Sequence, residues 1–206
     1  MRYTGPKFKL CRREQVDLFG SKKYNIKKNR SLPGQHGGNM QRSSEYGKLL
    51  RNKQTLKRMY MLSEKQFVRL VKEIAGKHSK NNDVTHDIAL FQFLERRMDS
   101  IVYRSWVAKT IIQARQMVNH GHFLLNGKKH NIPSSFVVSW DKISLKEKLK
   151  NSTLYSQNAT DNKGKIPSWI KLDKANNTIE VLTEPKIGEI GLPADLLKVI
   201  EFYARA

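Results

Sequence analysis

Two clusters of cationic residues are the part of the sequence best suited to chemistry, and that chemistry is the binding of a polyanion. The 206 residues include 39 Lys and Arg against 18 Asp and Glu, which gives a net charge of +21. Residues 1–60 carry +13 and residues 94–150 carry +7, whereas residues 61–93 carry +1 and residues 151–206 carry zero. Two basic stretches separated by near-neutral chain predict two surfaces that bind nucleic acid, with an anionic membrane surface as the weaker alternative.

Several side chains in the second basic stretch suit a phosphate backbone. Arg104 and Arg115 carry planar guanidinium groups that can donate two hydrogen bonds to one phosphate, which lysine matches less well. His120 and His122 can donate to phosphate or stack on a base. A metal site formed by these histidines with His130 is the alternative, but no cysteine or carboxylate accompanies them at ligand spacing. We therefore expect no metal and no cofactor.

The sequence lacks the residue patterns that are typical of catalysis. It shows no nucleophile with a base, no paired carboxylates for acid–base chemistry and no glycine-rich phosphate loop with a lysine. Glu95 and Asp99 have helical spacing, but beside Arg96 and Arg97 they indicate ion pairs. We predict that the protein is not an enzyme. The alternative is an RNA-modifying enzyme of the pseudouridine synthase type, which would need a separate catalytic domain.

Helices are expected to form the first half of the chain. A broken apolar stripe from Tyr46 to Leu56 predicts one helix. Ser63 and Gln66 have the spacing of a capping box, so they are expected to begin a second helix, and Gly76 is expected to end it.

The second basic stretch begins within a further helical pattern. Thr85 is expected to cap a helix whose apolar positions continue at steps of three and four to Ile101, with helical structure ending near Trp106. Thr110 is expected to cap the next helix, and Gly121 to end it.

A β-hairpin and further strands are predicted after these helices. The Asn-Gly pair at residues 126–127 lies between an apolar run and the two lysines at residues 128–129. Both central residues of such a turn accept positive φ, so the pair is a strong hairpin signal that places the lysines beyond the sheet. The apolar segments 136–138 and 143–145 supply two more candidate strands.

The first 40 residues form a basic arm with few apolar residues and a proline–glycine-rich break at residues 32–38. Such an arm can order when phosphates neutralise it; the alternative is a dispensable tail that aids solubility. Tyr3, Phe8, Leu18 and Phe19 are spaced through the basic residues, which indicates some local packing.

Two classes of protein are disfavoured by the apolar pattern and the cysteine content. No run of about 18 apolar residues predicts a transmembrane helix, and the N-terminal residues do not resemble a secretory signal. Cys11 is the single cysteine, so it cannot form an internal disulfide. We expect a soluble protein inside the cell.

The module between residues 94 and 128 resembles a known family. Residues 94–104 (LERRMDSIVYR), 114–122 (ARQMVNHGH) and 125–128 (LNGK) resemble the small RNA-binding module named after ribosomal protein S-four. The resemblance to the bacterial S-four ribosomal family extends over the whole chain, through the segments 2–7 (RYTGPK), 11–14 (CRRE), 33–37 (PGQHG), 50–54 (LRNKQ), 167–170 (PSWI) and 199–203 (VIEFY).

The resemblance implies an α+β fold of four parts. These are a basic N-terminal arm at 1–40, a helical domain at 41–93, an inserted α/β domain at 94–183 with the RNA-binding module at 94–150, and a C-terminal segment at 184–206. Leu196, Leu197, Ile200 and Tyr203 of that segment are expected to pack back on the helical domain.

The resemblance also implies a structural role in the small ribosomal subunit. Members of the family bind a five-way junction in the 5′ domain of the small-subunit ribosomal RNA and nucleate assembly of the body. They neighbour the S-five protein, at an interface that influences decoding accuracy, and they line the messenger entry path. A role at the messenger entry path is expected to be weak here, because Arg42 is the one cation in the segment that follows the glycines of residues 34–38. We expect a cytoplasmic location in the small subunit, or the plastid stroma if the gene is plastid-encoded, and no membrane partner or homo-oligomer.

Charge and resemblance together select the candidate site residues. The candidate RNA-binding residues are Arg2, Lys7, Lys9, Arg12, Arg13, Lys22, Lys23, His36, Arg42, Tyr46, Arg51, Lys53, Gln54, Lys57, Arg58, Arg97, Tyr103, Arg104, Arg115, Gln116, His120, His122, Asn126, Lys128 and Lys129. The candidate residues for the protein interface are Glu201, Phe202 and Tyr203. Some family members hold zinc through four N-terminal cysteines. Only Cys11 stands in a matching position here, so no zinc is expected.

Overall fold

The chain divides into two compact units. The structure, a computed structural model, describes residues 3–20, 31–38, 42–78, 84–150, 152–153, 155, 165–173 and 176–205. Unit 1 comprises residues 1–90 with 192–206, and unit 2 comprises residues 91–191. These limits lie three and eight residues from the domain boundaries predicted at 93/94 and 183/184. Helices with one five-stranded antiparallel sheet make the fold α+β, which confirms the predicted class.

Unit 1 is helical. Its elements are α1 (Lys7–Glu14), α2 (Glu45–Met59), α3 (Glu64–His78) and α8 (Leu196–Ala204). Helix α4 (His86–Glu95) begins in unit 1 and ends in unit 2. The C-terminal helix α8 packs against α2 and α3. In the described parts of the chain, no helix is long and apolar enough to span a membrane.

Local capping residues set where the helices of unit 1 begin. The Ser44 hydroxyl accepts a hydrogen bond from the Gly47 amide at 3.1 Å. The predicted capping box is confirmed: the Ser63 amide donates to the Gln66 side chain, and the Gln66 amide donates to the Ser63 hydroxyl. The prediction that Gly76 ends α3 is wrong, because the helix continues to His78. A glycine inside a helix costs only about 1 kcal/mol relative to alanine, so it ends a helix only where the chain also turns.

Part of the predicted arm folds as helix α1 and packs. Cys11, Leu18 and Phe19 are buried in unit 1. The Arg12 guanidinium donates to the backbone carbonyl and hydroxyl of Ser31, each at 3.0 Å, and so holds the start of the glycine-rich segment. The candidate residues Arg2, Lys22 and Lys23 lie outside the described residues.

Unit 2 contains the sheet. Its strands are β1 (Phe123–Leu125), β2 (Lys128–His130), β3 (Lys142–Leu145), β4 (Ile170–Asp173) and β5 (Thr178–Val181), in the order β2-β1-β3-β5-β4. Its helices are α5 (Met98–Arg104), α6 (Ile111–Asn119) and the short α7 (Glu147–Lys150). One core of fully buried residues joins helices and sheet, including Met98, Ile101, Phe123, Ile143 and Trp169.

The hairpin and the cap of α6 are as predicted. Asn126 and Gly127 have φ values of 49° and 79°, and β1 pairs with β2 on either side of them. The Thr110 hydroxyl accepts from the Gln113 amide at 3.2 Å. Both features depend on neighbouring residues alone, which is why the sequence pattern identifies them.

The helix predicted to run from Thr85 to Ile101 is instead broken between α4 and α5. Arg97 is extended, with φ −68° and ψ 141°, and forms an isolated antiparallel bridge with Phe136. The Met98 amide donates to the Ser135 carbonyl at 2.9 Å, and the Val137 amide donates to the Arg96 carbonyl at the same distance. Residues 136–138 therefore do not form the predicted strand: their backbone partner is the break in the helix.

The C-terminal helix α8 covers unit 1: of the four residues predicted to pack, Leu196 is buried and Ile200 and Tyr203 are half-buried, but Leu197 is exposed. Leu196, Val199 and Phe202 are buried, whereas Leu197 is 64% exposed, so its predicted packing is wrong. A hydrogen-bond cluster joins α8 to α2 and α3 through Glu64. The Glu64 carboxylate accepts from the ammonium groups of Lys53 and Lys57, both at 2.7 Å, and from the Tyr203 hydroxyl at 2.9 Å.

This cluster predicts an acid-sensitive unit 1. Burial alone would raise the pKa of Glu64, but hydrogen bonds from Lys53, Lys57 and Tyr203 lower it from 4.5 to about 2. A carboxyl with a lowered folded-state pKa stabilises the fold above its unfolded pKa, and that stability disappears as the pH falls from about 4.5 to 2. Because the Glu64 side chain is 42% exposed and solvent screens its ion pairs, Glu64→Gln should reduce stability at pH 7 by about 0.5–1 kcal/mol and flatten the dependence below pH 4.5.

Thermal unfolding between pH 2 and 7 measures both effects. Glu45→Gln is the control, since Glu45 is exposed and its pair with Lys48 lies at the surface of α2, at 3.7 Å. Equal pH dependence in wild type and Glu64→Gln would refute a role of Glu64 in holding α8.

Candidate nucleic-acid interface

The last residues of α4 and α5 form an ion pair between a buried carboxylate and Arg104. Glu95, at the end of α4, is completely buried. Arg104, at the end of α5, donates to both of its oxygens, with distances of 2.9 and 3.2 Å from Nε and 2.6 Å from Nη2. The predicted phosphate fork of Arg104 is therefore occupied inside the protein. We correct its role to that of a structural ion pair, because a buried carboxylate requires a cation.

A second buried carboxylate, Asp99, organises two more arginines. Arg97 donates to both of its oxygens at 3.0 and 2.9 Å, and Arg115 donates to Oδ2 at 3.4 Å. The Arg97 side chain is only 9% exposed, so it too is assigned a structural role, whereas the Arg115 side chain keeps 27% exposure. Both acids form ion pairs, as predicted. Asp99 pairs with the neighbouring Arg97, but Glu95 pairs with Arg104, at the end of α5.

The outer face of α6 presents polar side chains. Gln116 and His120 are exposed, and with Gln113, Met117 and His122 they line an open cavity of about 310 Å³. The His120 and His122 rings lie 5.9 Å apart. These groups can hydrogen-bond phosphate or base edges.

His122 is held in place by a tyrosine. Its Nδ1 lies 2.7 Å from the Tyr155 hydroxyl. Burial, together with the nearby charges of His120 and Lys146, lowers the pKa of His122. His130 instead contacts the Ser135 hydroxyl at 2.6 Å through Nε2. Within the described ranges, no three His, Cys, Asp or Glu side chains are grouped to hold a metal ion.

The β1–β2 turn carries exposed cations on a fixed frame. Lys128 and Lys129 are exposed. The Asn126 side chain donates to Asp141 Oδ1 at 2.7 Å and accepts from the Lys142 amide at 2.9 Å. The amide of Asn126 thus positions the turn, and the two lysines are the groups that can reach phosphate.

Helix α2 of unit 1 directs four of the candidate cations inward. The buried Glu14 accepts from Arg51 at 3.0 Å and from Arg58. Lys57 bonds Glu64, as does Lys53, whose side chain is 7% exposed. For Lys53 in particular the predicted RNA contact is corrected to a structural role, because its ammonium lies beneath the Phe202 ring at 4.5 Å.

Other candidates in unit 1 are accessible. Among the described residues, Lys9, Arg13, His36, Arg42 and Tyr46 are exposed. Lys7, Gln54 and Arg12 are half-buried, and Tyr103 of unit 2 is half-buried with the Arg104 guanidinium 5.4 Å from its ring centre.

The candidate protein-interface residues face the interior of unit 1 or pair locally. Phe202 is buried and packs near Tyr46, with ring centres 5.6 Å apart. Tyr203 bonds Glu64, and Glu201 pairs with Arg205 at 2.5 Å. Phe202 is therefore corrected from an interface residue to a core residue.

Sequence reasoning missed one row of cations on α3 and two carboxylates that join helices, Glu14 and Glu64. Lys65, Arg69 and Lys72 are exposed at spacings of four and three on α3, a pattern that places them on one helix face. That spacing was the available signal. Glu14 and Glu64 had no such signal, because their partners lie on other helices, and spacing within one helix does not predict those contacts.

A helix pair followed by a hairpin, with exposed polar groups on the second helix and lysines at the turn, defines an RNA-binding module. Residues 96–143 match the family described as S4 domain, and residues 2–95 match the family described as Ribosomal protein S4/S9 N-terminal domain.

Full-length relatives carry one name. Small ribosomal subunit protein uS4 of Thermotoga petrophila is 42% identical over 212 residues, covering 99% of each chain. The proteins of that name from Persephonella marina and Rubrobacter xylanophilus are 42% and 39% identical, covering 98% and 99% of each chain. The chain belongs to this family of small-subunit ribosomal proteins. The predicted family and its structural, RNA-binding role are confirmed, and the pseudouridine synthase alternative is not favoured.

The Glu95–Arg104 pair yields a test of its structural role. Arg104→Ala should destabilise unit 2 by about 3–5 kcal/mol because it leaves a buried charge without its partner. The double variant Glu95→Gln with Arg104→Met should lose less, because neither charge remains. Denaturant unfolding monitored by circular dichroism measures both. A double variant as unstable as Arg104→Ala would contradict the pairing argument.

Proposed function

We propose that this protein binds small-subunit ribosomal RNA through two basic surfaces, one on each unit. The first surface consists of Lys9, Arg13 and Arg42 of unit 1. The second consists of Arg115, Gln116, His120, Lys128 and Lys129 of unit 2. The observation that carries the proposal is the division of the cations: one set pairs with buried carboxylates, and a second set is exposed on the module that matches the S4 domain.

The proposed mechanism is neutralisation of phosphate without catalysis. Each phosphate that a lysine or arginine neutralises releases condensed counterions, so the affinity falls as salt rises. Arg97 and Arg104 contribute indirectly, since their pairs with Asp99 and Glu95 fix α5; Arg115 pairs with Asp99 and keeps 27% of its side chain exposed on the proposed surface.

We further propose that the protein binds a five-way junction in the 5′ domain of this RNA and nucleates assembly of the subunit body. Two separate basic surfaces support this proposal, because a junction offers several helices and a protein with two surfaces can hold more than one of them. The same arrangement accounts for a stable frame: each unit has its own core, so neither surface needs RNA to create its fold.

The proposed protein partner is the S-five ribosomal protein, with an influence on decoding accuracy. Since Phe202 and Tyr203 face inward, a contact on α8 would use its outer face, where Leu197 is 64% exposed. A contribution to the messenger path would use Arg42, which is exposed just before α2. We place the protein in the small ribosomal subunit.

The turn lysines give a direct test on RNA. Lys128→Ala with Lys129→Ala should lower affinity for small-subunit ribosomal RNA and reduce the slope of log affinity against log salt by about 1.5, since each phosphate contact contributes roughly 0.7–0.9. Filter binding across a salt series measures the slope.

A matched control uses two exposed lysines elsewhere in unit 2. Lys171→Ala with Lys186→Ala removes the same charge from strand β4 and a following loop. Equal losses in both double variants would show a general charge effect and would contradict a specific surface at the turn. Co-sedimentation of the native protein with the small subunit tests the ribosomal assignment itself.

A further inference from the structure

Trp140 combines an unusual backbone conformation with unusual exposure. Its φ is 73°, in the left-handed region that bulky residues rarely adopt. Its side chain is 73% exposed, although indole is the largest side chain and one that proteins usually cover. Trp169, by contrast, is completely buried. A strained residue with an exposed ring gains little for folding, which points to a role in binding.

The surrounding hydrogen bonds hold this conformation firmly. The Trp140 amide donates to the carbonyl of Val181, the last residue of strand β5, at 2.7 Å. Asp141 closes the turn: its Oδ2 accepts from the Val138 amide at 2.8 Å, and its Oδ1 accepts from Asn126 at 2.7 Å. The indole is therefore presented from a backbone that is bonded on both sides.

The same bonds connect Trp140 to the proposed RNA surface. Asn126 belongs to the β1–β2 turn, so the turn that carries Trp140 and the turn that precedes Lys128 share one hydrogen-bond network. Lys128 and Lys142 are exposed beside it. Two acids lie nearby: Asp141, whose carboxylate is bonded within the network, and Glu180, which pairs with Lys142 at 3.4 Å. An exposed aromatic ring among lysines suits an unpaired base, with stacking on the ring and phosphate on the ammonium groups.

A protein partner is the rival occupant. Ile132, Phe136 and Val138 in the same segment are about half exposed, which would suit an apolar contact. Phe136, however, is already engaged by Phe93, whose ring meets it edge-on at 5.2 Å. The lysines and the shared network with the β1–β2 turn favour RNA over an apolar surface.

We propose that Trp140 is a stacking platform for one unpaired nucleobase of the ribosomal RNA. The proposal rests on the RNA-binding function above and adds a site for a single-stranded nucleotide beside the phosphate contacts of the β1–β2 turn. Stacking of this kind tolerates any base, because every base offers a π-face, so the site selects unpaired over paired RNA and not one sequence.

Fluorescence gives the first test. Subtracting the emission of Trp140→Phe from that of the wild type isolates the Trp140 signal. A single-stranded oligoadenylate should quench this signal strongly, whereas a duplex of oligoadenylate with oligouridylate should quench it weakly. Trp106→Phe is the control and should keep the full effect. Equal quenching by both RNAs, or none while the RNA binds, would overturn the stacking proposal.

Affinity and stability together give the second test. Trp140→Asn places a residue that tolerates positive φ at the turn, so its melting temperature should be equal to or above that of the wild type. Its affinity for oligoadenylate should fall roughly tenfold, and Trp140→Phe, which retains a ring, should lose less. If Trp140→Asn and the wild type bind oligoadenylate with equal affinity, Trp140 is not a stacking platform.

These measurements separate the two proposals. If Trp140→Asn binds both the oligoadenylate and the small-subunit ribosomal RNA with wild-type affinity, the RNA-binding function stands and the platform is wrong. If the wild-type protein binds neither RNA, both are wrong. An emission change that follows only the addition of other small-subunit proteins would assign Trp140 to a protein contact and would also overturn the platform.

Discussion

Burial of carboxylates in a chain with excess cations is the constraint on which this structure depends. The side chains of Glu14, Glu95 and Asp99 are at most 1% exposed, and each pairs with one or more arginines. A buried carboxylate without a cation would cost several kcal/mol, so these pairs fix which elements lie together. Glu64 acts similarly at the surface of unit 1, where two lysines and Tyr203 meet it.

This constraint separates two kinds of basic residue that have the same chemistry. Arg104 and Lys53 satisfy acids inside the protein, whereas Lys128 and Lys129 remain exposed at a turn that other bonds already hold. The net charge of +21 is therefore not a count of RNA contacts, because some of the cations hold the fold and others are available to bind RNA. The inner pairs give rigid units, and rigidity lets the outer cations meet phosphates at fixed positions, which lowers the entropic cost of binding.

The turn network of unit 2 extends the same principle to a single aromatic residue. Asn126 and Asp141 join the β1–β2 turn to the segment that presents Trp140. Strain at one residue is tolerable where several bonds hold the backbone around it. Phosphate contacts by lysine and stacking by tryptophan would then act side by side, the first independent of base pairing and the second dependent on an unpaired base.

The sequence by itself determined the family, the charge division and every feature that neighbouring residues decide, such as the Ser63 capping box, the Thr110 cap and the hairpin at residues 126–127. Tertiary structure decided the break at Arg97, which pairs with Phe136 beyond two helices and a hairpin, and the choice of which cations turn inward. Those outcomes depend on burial and on partners far apart in the chain. A lysine or arginine looks the same in the sequence whether its partner is a buried carboxylate or a phosphate.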